Sequence, residues 1–356
     1  MTRGALLVLA VATALGAVGR AQSSLTFEQR IVNGIEIVQV RGPVYMLMGA
    51  GGNVVVSVGP DGTLVVDTGT AERSTALLNA IQLLQRELAP REMPLGFGSE
   101  TRSALQAGRA PAAPPKPIRF VLNTSNDADH VGGNEAVASS GRTITGGNVA
   151  GDLSTATQAA QIVAHENVLL RMAKRDPPVP VRAQPTDTYF TPYFKLGMHF
   201  NGEGIQLMHQ PAAHTDGDSL VWFRGSDVIA TGDVFDMERY PHIDLENGGS
   251  INGIVDALNN ILDLAYAEFR LEGGTLIVPG HGRLSDSSDV AYYRDMVTTI
   301  RDRVQQLVEK GATLEQVKAS KPTLDYDTRF GTTTGPWTTD MFVSAVYRSL
   351  SAGATQ

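Results

Sequence analysis

Side chains that could bind a metal ion are concentrated in four short segments of the chain. The first segment, residues 123–134, carries Asp127, Asp129 and His130, and two consecutive glycines follow them. The other three segments contribute His214, Asp233 and His281. Imidazole and carboxylate groups are common protein ligands of zinc and related divalent ions. Any one of these segments is a weak signal, whereas the four together predict a metal site.

Each of these residues also has a structural interpretation. Asp127 and Asp129 are two residues apart, so in an extended segment they project to the same side, yet carboxylates on loops are usually just solvated. His130 and the flexible glycine pair directly after them favour metal binding. His214 alone could cap a turn and Asp233 a helix, so their assignment depends on the order of the segments.

Each polar segment follows a stretch that is predicted to be a strand. These stretches are residues 118–122, 204–209, 227–230 and 275–278, and a further hairpin is predicted at residues 53–66. Helices are predicted to start near Ala71 and at residues 134–139, 253–267, 290–308 and 339–350. Two Pro-rich stretches, residues 90–117 and 174–195, are predicted to be inserted loops. Strands alternating with helices indicate an α/β fold with helices covering the sheets, and post-strand loops are where such folds place their sites.

Composition narrows the function. The 356 residues are 42% hydrophobic and 19% charged, which is typical of a globular domain with its own core. The chain has no cysteine, so thiolate metal ligands and a cysteine nucleophile are excluded. The formal net charge of −8 argues against a nucleic-acid partner, and we expect a small-molecule substrate.

The first 21 residues have the pattern of a secretory signal peptide. Arg3 precedes an apolar run, residues 5–18, and Gly19-Arg20-Ala21 offers small residues to a signal peptidase. A retained membrane anchor is the alternative, but the run is short for a membrane span. We expect a single mature domain at residues 22–356, periplasmic or secreted, with no membrane attachment after cleavage.

The order of the four polar segments resembles that of the metallo-β-lactamase superfamily. The resemblance extends over residues 30–352 and includes Asp67-Thr68-Gly69 and the tail at residues 342–350. It implies a four-layer αββα sandwich with two metals at the sheet edges. The metal ligands that it implies here are Asp127, Asp129, His130, His214, Asp233 and His281.

The first motif departs from the family pattern His-x-His-x-Asp-His at two positions. Ser125 stands at the first histidine and Asp127 at the second, so one site is reduced to Asp127 and His214. The resemblance implies that Asp129, His130 and His281 keep the other site, with Asp233 as a bridge, as in hydrolases of the glyoxalase II type. Oxygen ligands are harder than imidazole and favour Mg, Mn, Ca or Fe. We therefore expect one tightly bound zinc and a second metal that is weakly bound, absent or of another kind.

The remaining candidates have no motif around them. His165, His199, His209 and His242 lie outside the four segments; His209 could compensate for the lost ligand, but a structural role is favoured. Ser125 lacks the Gly-x-Ser-x-Gly context of a nucleophile. Trp222 and Trp337 are expected in the core.

The resemblance implies a metal-dependent hydrolase of an ester, thioester, lactone or β-lactam. The metal would activate a water molecule and polarise the scissile carbonyl, while Asp129 orients that water or shuttles a proton. One alternative is a non-catalytic descendant that binds a metal or ligand. Another is an iron-dependent oxidoreductase, although the flavin domain of the flavodiiron proteins is absent. Metal analysis would separate these possibilities.

Overall fold

A computed structural model describes residues 31–89, 114–142, 159–197, 199–265 and 273–353 of the chain. Its strands form two mixed sheets, one with eight strands and the other with six. The signal-peptide prediction and most of the stretch at residues 90–117 lie outside the described residues.

The first sheet contains β1 to β8 in chain order. Its strands are β1 (Ile31–Val32), β2 (Ile35–Arg41), β3 (Val44–Met48), β4 (Val54–Gly59), β5 (Gly62–Val66), β6 (Ile118–Leu122), β7 (Gln161–His165) and β8 (Asp187–Tyr189). The first five pair antiparallel, and β5 to β8 pair parallel. Parallel strands have their carboxyl ends at the same edge, so the loops after β5 and β6 open side by side.

The second sheet is built around an antiparallel meander. Its strands are β9 (Tyr193–Lys195), β10 (Ile205–Gln210), β11 (Asp218–Phe223), β12 (Val228–Ala230), β13 (Leu276–Val278) and β14 (Ser285–Asp286). Only β12 and β13 pair parallel among these strands. The loops after β12 and β13 therefore also leave the sheet at one edge.

The described ranges contain nine α-helices. They are α1 (Ser74–Glu87), α2 (Ala128–Val131), α3 (Asn134–Ser139), α4 (Glu166–Lys174), α5 (Ile251–Leu264), α6 (Ser287–Glu309), α7 (Leu314–Ala319), α8 (Asp327–Phe330) and α9 (Thr339–Gly353). None of the described helices is both long and apolar enough to span a bilayer.

Three apolar cores hold the layers together. Between the two sheets, residues such as Met46 and Leu122 pack against Leu207 and Phe223. On the outer face of the first sheet, apolar residues of α1 and α3 form a second core. On the outer face of the second sheet, α5, α6 and α9 form the third. The order helix, sheet, sheet, helix confirms the predicted αββα sandwich.

Several predicted elements have the expected bounds, and others need correction. The hairpin at residues 53–66 is present, and the strand at residues 118–122 and the helix at residues 134–139 match their predictions. The stretch at residues 174–195 is more than a loop, because it contains a 3₁₀ turn at Val181–Ala183 and the strands β8 and β9. Its prolines are compatible with strands this short at the sheet edges.

Candidate metal centre

The predicted ligands meet where strands of both sheets end. Asp129 and His130 follow β6 of the first sheet, whereas Asp233 and His281 follow β12 and β13 of the second. His214 lies in the turn between β10 and β11. The structure therefore brings together all six residues that the sequence singled out.

The local geometry of the first motif differs from the extended segment that we predicted. Asp127 is the extended N-cap residue of α2, while Asp129 and His130 lie within that single helical turn. Nevertheless, Asp127, Asp129 and Asp233 each place a carboxylate oxygen within 4.8 Å of the others. Three carboxylates so close together repel one another unless a cation lies among them.

Asp129, His130 and His281 form one half of the centre, with their ligand atoms within 4.8 Å of one another. Nε2 of His281 lies 3.2 Å from Oδ2 of Asp129 and 3.5 Å from Oδ1 of Asp233. Nε2 of His130 lies 3.1 Å from the same Asp233 oxygen. Asp233 thus contacts both histidines of this half.

Asp67, a residue outside the predicted ligand set, orients His130. Its Oδ2 lies 2.8 Å from Nδ1 of His130 and accepts a 2.6 Å hydrogen bond from the Thr124 hydroxyl. Its Oδ1 accepts the Thr124 N–H at 2.8 Å. With Nδ1–H donated to this carboxylate, Nε2 of His130 has its lone pair directed at the centre. The sequence signal was an aspartate directly after a buried strand.

Asp127, His214 and His242 form the other half, again with ligand atoms within 4.8 Å of one another. Nε2 of His214 lies 2.9 Å from Oδ2 of Asp127 and 4.0 Å from Oδ2 of Asp233. Nδ1 of His214 lies 3.0 Å from the His242 carbonyl oxygen. This acceptor fixes the tautomer in the way that Asp67 does for His130. His242 had no motif weight in the sequence, and its place here is a correction.

Ser125 is almost fully buried in the loop that leads to Asp127. Its hydroxyl accepts the backbone N–H of Asp127 at 3.3 Å. This contact supports the turn into α2.

Burial and charge act in opposite directions on the histidines of the centre. Burial disfavours their charged forms, but the neighbouring carboxylates outweigh it. The pKa of His214 is raised to about 10, mainly by Asp127, and that of His281 to about 9 by Asp129 and Asp233. The pKa of His130 is raised well above its usual value by Asp233 and Asp67. The carboxylates of the centre thus strongly favour a positive charge among them, whether it is carried by a protonated histidine or by a bound cation.

Asp233 responds in the opposite sense. Burial alone would raise its pKa, but the positive charges of His130 and His214 and hydrogen bonds from His130 and His281 hold it well below its usual value. The pKa of Asp129 is also lowered, chiefly by its hydrogen bond with His281. Both carboxylates therefore remain ionised and available as ligands at neutral pH.

The donor set and the space around it fit a metal ion. The two half-sites are rich in the imidazole and carboxylate ligands that divalent metals take, and Nδ1 of both His130 and His214 is turned towards an acceptor. Two glycines beside the centre leave space that a side chain would fill. A Cβ on Gly52 would lie 2.9 Å from Nε2 of His130, and one on Gly280 would lie 2.8 Å from Oδ1 of Asp233.

The other histidines and tryptophans have separate positions. His209 stacks on His165 with ring centroids 3.6 Å apart, and its Nε2 lies 2.8 Å from the Asp216 carbonyl oxygen, which suits the favoured structural role. His199 is exposed and takes part in neither half of the centre. Trp337 packs on the third core, but it also lies edge-on to His242 at 4.4 Å.

Comparison with known proteins places these observations in a family. The family model of the metallo-beta-lactamase superfamily matches residues 48–281. No curated protein matches the chain. Among solved structures, the inverting sec-alkylsulfatase Pisa1 from Pseudomonas sp. is similar over 88% of this chain and 49% of its own, with 16% identity and a TM-score of 0.55. A double mutant of that sulfatase gives 15% identity, coverage of 90% and 50%, and a TM-score of 0.56.

A metallo-beta-lactamase from Pontibacter korlensis is similar over 74% of this chain and 99% of its own, with 14% identity and a TM-score of 0.49. The chain spans about half the length of the alkylsulfatase. At these identities the structural similarity concerns the fold alone.

Proposed function

The chain belongs to the metallo-beta-lactamase superfamily, and on that premise we propose that it is an exported metal-dependent hydrolase. The observation that carries the proposal is the convergence around Asp233 of two carboxylates and three imidazoles, those of Asp127, Asp129, His130, His214 and His281. A divalent metal bound by such a set supplies a Lewis acid that polarises a scissile carbonyl and lowers the pKa of a water molecule.

Asp129 is the carboxylate best placed to handle a proton. Its side chain is 36% exposed, against 25% for Asp127 and 11% for Asp233. Water and substrate therefore reach Asp129 most easily, while His281 fixes one of its oxygens at 3.2 Å. We assign to Asp129 the orientation of the attacking water and the transfer of its proton towards the leaving group.

Asp67 and Asp233 have positioning roles in this scheme. Asp67 is buried and holds the ring of His130. Asp233 is nearly buried and lies against histidines of both halves. We assign no proton transfer to either, because the Asp67 carboxylate is held by Thr124 and His130, and that of Asp233 by histidines of the centre.

The proposed substrates are esters, thioesters, lactones or β-lactams. All of them present a carbonyl carbon to an attacking water, which is the reaction that a polarising centre beside an exposed carboxylate accelerates. Since the similar solved structures include alkylsulfatases, a secondary alkyl sulfate belongs in any substrate panel.

The test compares hydrolysis of this panel by the purified mature chain and by variants of the centre. We expect His130→Ala and Asp129→Asn each to lower kcat/KM by at least about 100-fold, since a metal ligand and the proton-handling group are removed. His199→Ala is the matched control, because His199 is exposed and outside the centre. Turnover of no substrate by the metal-loaded wild type, or equal turnover by all variants, would contradict the proposal. Elemental analysis of the same samples identifies the metal, for which we propose zinc.

A further inference from the structure

We propose that His242 replaces the histidine missing at position 125 and, with Asp127 and His214, completes a second metal site, so that the centre holds two divalent transition-metal ions. The inference rests on the proposed metal-dependent function but concerns metal binding itself. With His242 as a ligand, the half that contains Asp127 and His214 has three protein ligands, as the half that contains His130 has.

The geometry of the two halves is alike. In each, two imidazoles and one carboxylate place their ligand atoms within 4.8 Å of one another. Asp233 lies between them, with Oδ1 3.1 Å from Nε2 of His130 and Oδ2 4.0 Å from Nε2 of His214. Two imidazoles with a carboxylate form a ligand set used by zinc and by iron(II) in proteins.

Hydrogen bonds connect the segment around His242 to His214, the other histidine of the proposed second site. The His242 carbonyl oxygen lies 3.0 Å from Nδ1 of His214, and the N–H of Asp244 donates to the His214 carbonyl oxygen at 3.0 Å. These two contacts lie on either side of residue 243. They hold the backbone of the segment 242–244 against His214, and the two imidazole rings lie with their centroids 4.8 Å apart.

Neighbouring aromatic residues hold the segment from its other side. The Tyr240 ring stacks on Phe342 with centroids 4.7 Å apart, and its hydroxyl donates to Asp327 at 2.9 Å. Trp337 lies edge-on to the His242 ring at 4.4 Å. His242 itself is exposed, whereas His214 is buried.

Ser125 does not offer a competing explanation. Its hydroxyl accepts the Asp127 N–H, and a serine hydroxyl remains protonated near neutral pH, which makes it a poor ligand. The family pattern has a histidine at position 125, before His214 in the chain. In this protein the proposed replacement, His242, comes after His214.

The decisive experiment measures metal stoichiometry in the full mature protein with His242→Phe. Phenylalanine keeps an aromatic ring against Trp337 while removing both nitrogens. After zinc loading and removal of excess metal, we expect about two equivalents in the wild type and about one in the variant. In the cobalt(II)-substituted variant, the shifted exchangeable imidazole N–H signals of both His214 and His242 should be missing from the paramagnetic proton NMR spectrum, because no ion remains in that half of the centre.

Matched variants keep the result interpretable. His214→Phe should also lose one equivalent, whereas Ser125→Ala and His199→Phe should retain two. His242→Gln provides a second removal of the imidazole should the phenylalanine variant fold poorly. Two equivalents in both His242 variants, or a wild type that never binds more than one, would overturn the inference. Hydrolysis by a one-metal wild type would still leave the proposed function standing.

Discussion

Asp67 decides which imidazole nitrogen of His130 faces the metal centre. Its left-handed backbone (φ 60°) turns the carboxylate back towards Thr124 and His130. Both oxygens act as acceptors, so an amide cannot replace them. In Asp67→Asn, the NH₂ group must face either the Thr124 N–H, which is also a donor, or Nδ1 of His130, which would place the ring proton on Nε2.

We therefore expect Asp67→Asn to weaken metal binding at the half that contains His130 by about 10- to 100-fold. Asparagine tolerates the left-handed backbone, so the fold should persist. Competition with a chromophoric chelator measures the affinity. Asp61→Asn, at an exposed turn, is the control and should change nothing. An unchanged affinity in Asp67→Asn would show that the tautomer of His130 is fixed in some other way.

Helix α4 begins at a histidine cap that titrates at low pH. Nδ1 of His165 accepts the Asn167 N–H at 3.3 Å, and its Nε2 has no hydrogen-bond partner among the described residues. Burial lowers the pKa of His165 to about 4, and the positive charge of His209 contributes, while Asp216 acts in the opposite sense. Protonation would turn the capping acceptor into a donor.

The sign of the pH effect follows from these pKa values. An unfolded histidine has a pKa of about 6.5, so the unfolded state takes up the proton first as the pH falls. The stability due to neutral His165 is present above pH 6.5 and is lost as the pH falls towards 4, by at most about 3 kcal/mol.

His165→Asn should remove this part of the acid sensitivity, because asparagine is a good N-cap and does not titrate. Urea unfolding of both metal-free proteins at pH 7.5 and pH 4.5 measures it. We expect the free energy of unfolding to fall less in the variant than in the wild type. An equal fall in both would mean that His165 does not contribute.

Strands and helices with a clear apolar pattern could be predicted from the sequence, and so could the candidate metal ligands in the loops after them. Asp129, His130, Asp233 and His281 all lie in segments that follow buried strands, and apolar runs in the sequence predict these strands. His242 lies in a segment with no strand or helix of its own, placed by Tyr240 packing on Phe342 about a hundred residues later. A contact made only by tertiary packing leaves no periodic signal, so the sequence could not show it.

At the scale of the whole molecule, export remains a proposal that the sequence alone supports. We expect the mature chain to begin near Gln22, since Gly19-Arg20-Ala21 follows the apolar run. Intact-mass spectrometry of periplasmic or secreted material tests this. Full-length protein starting at Met1 in the membrane fraction would contradict it. Because the chain has no cysteine, its stability after export should not respond to reducing agents.

The two sheets share the metal centre, so metal binding should stabilise the sandwich as a unit. Asp129 and His130 follow a strand of the first sheet, whereas His214, Asp233 and His281 belong to the second. An ion held by both groups links the sheets at one edge and also relieves the repulsion among the clustered carboxylates. A ligand that binds only the folded state at about 100 times its Kd adds about 2.7 kcal/mol to the free energy of unfolding.

We therefore expect zinc to raise Tm by roughly 4 °C over protein treated with a chelator, since about 2.1 cal/mol/K per residue makes the unfolding entropy of a chain of about 335 residues about 0.7 kcal/mol/K. Differential scanning calorimetry should show a single transition in both states, because the linked sheets unfold together. His130→Ala should lose a large part of the shift, and His199→Ala should keep it. Zinc binding that leaves Tm unchanged would contradict this prediction, because an ion that binds only the folded state must raise Tm.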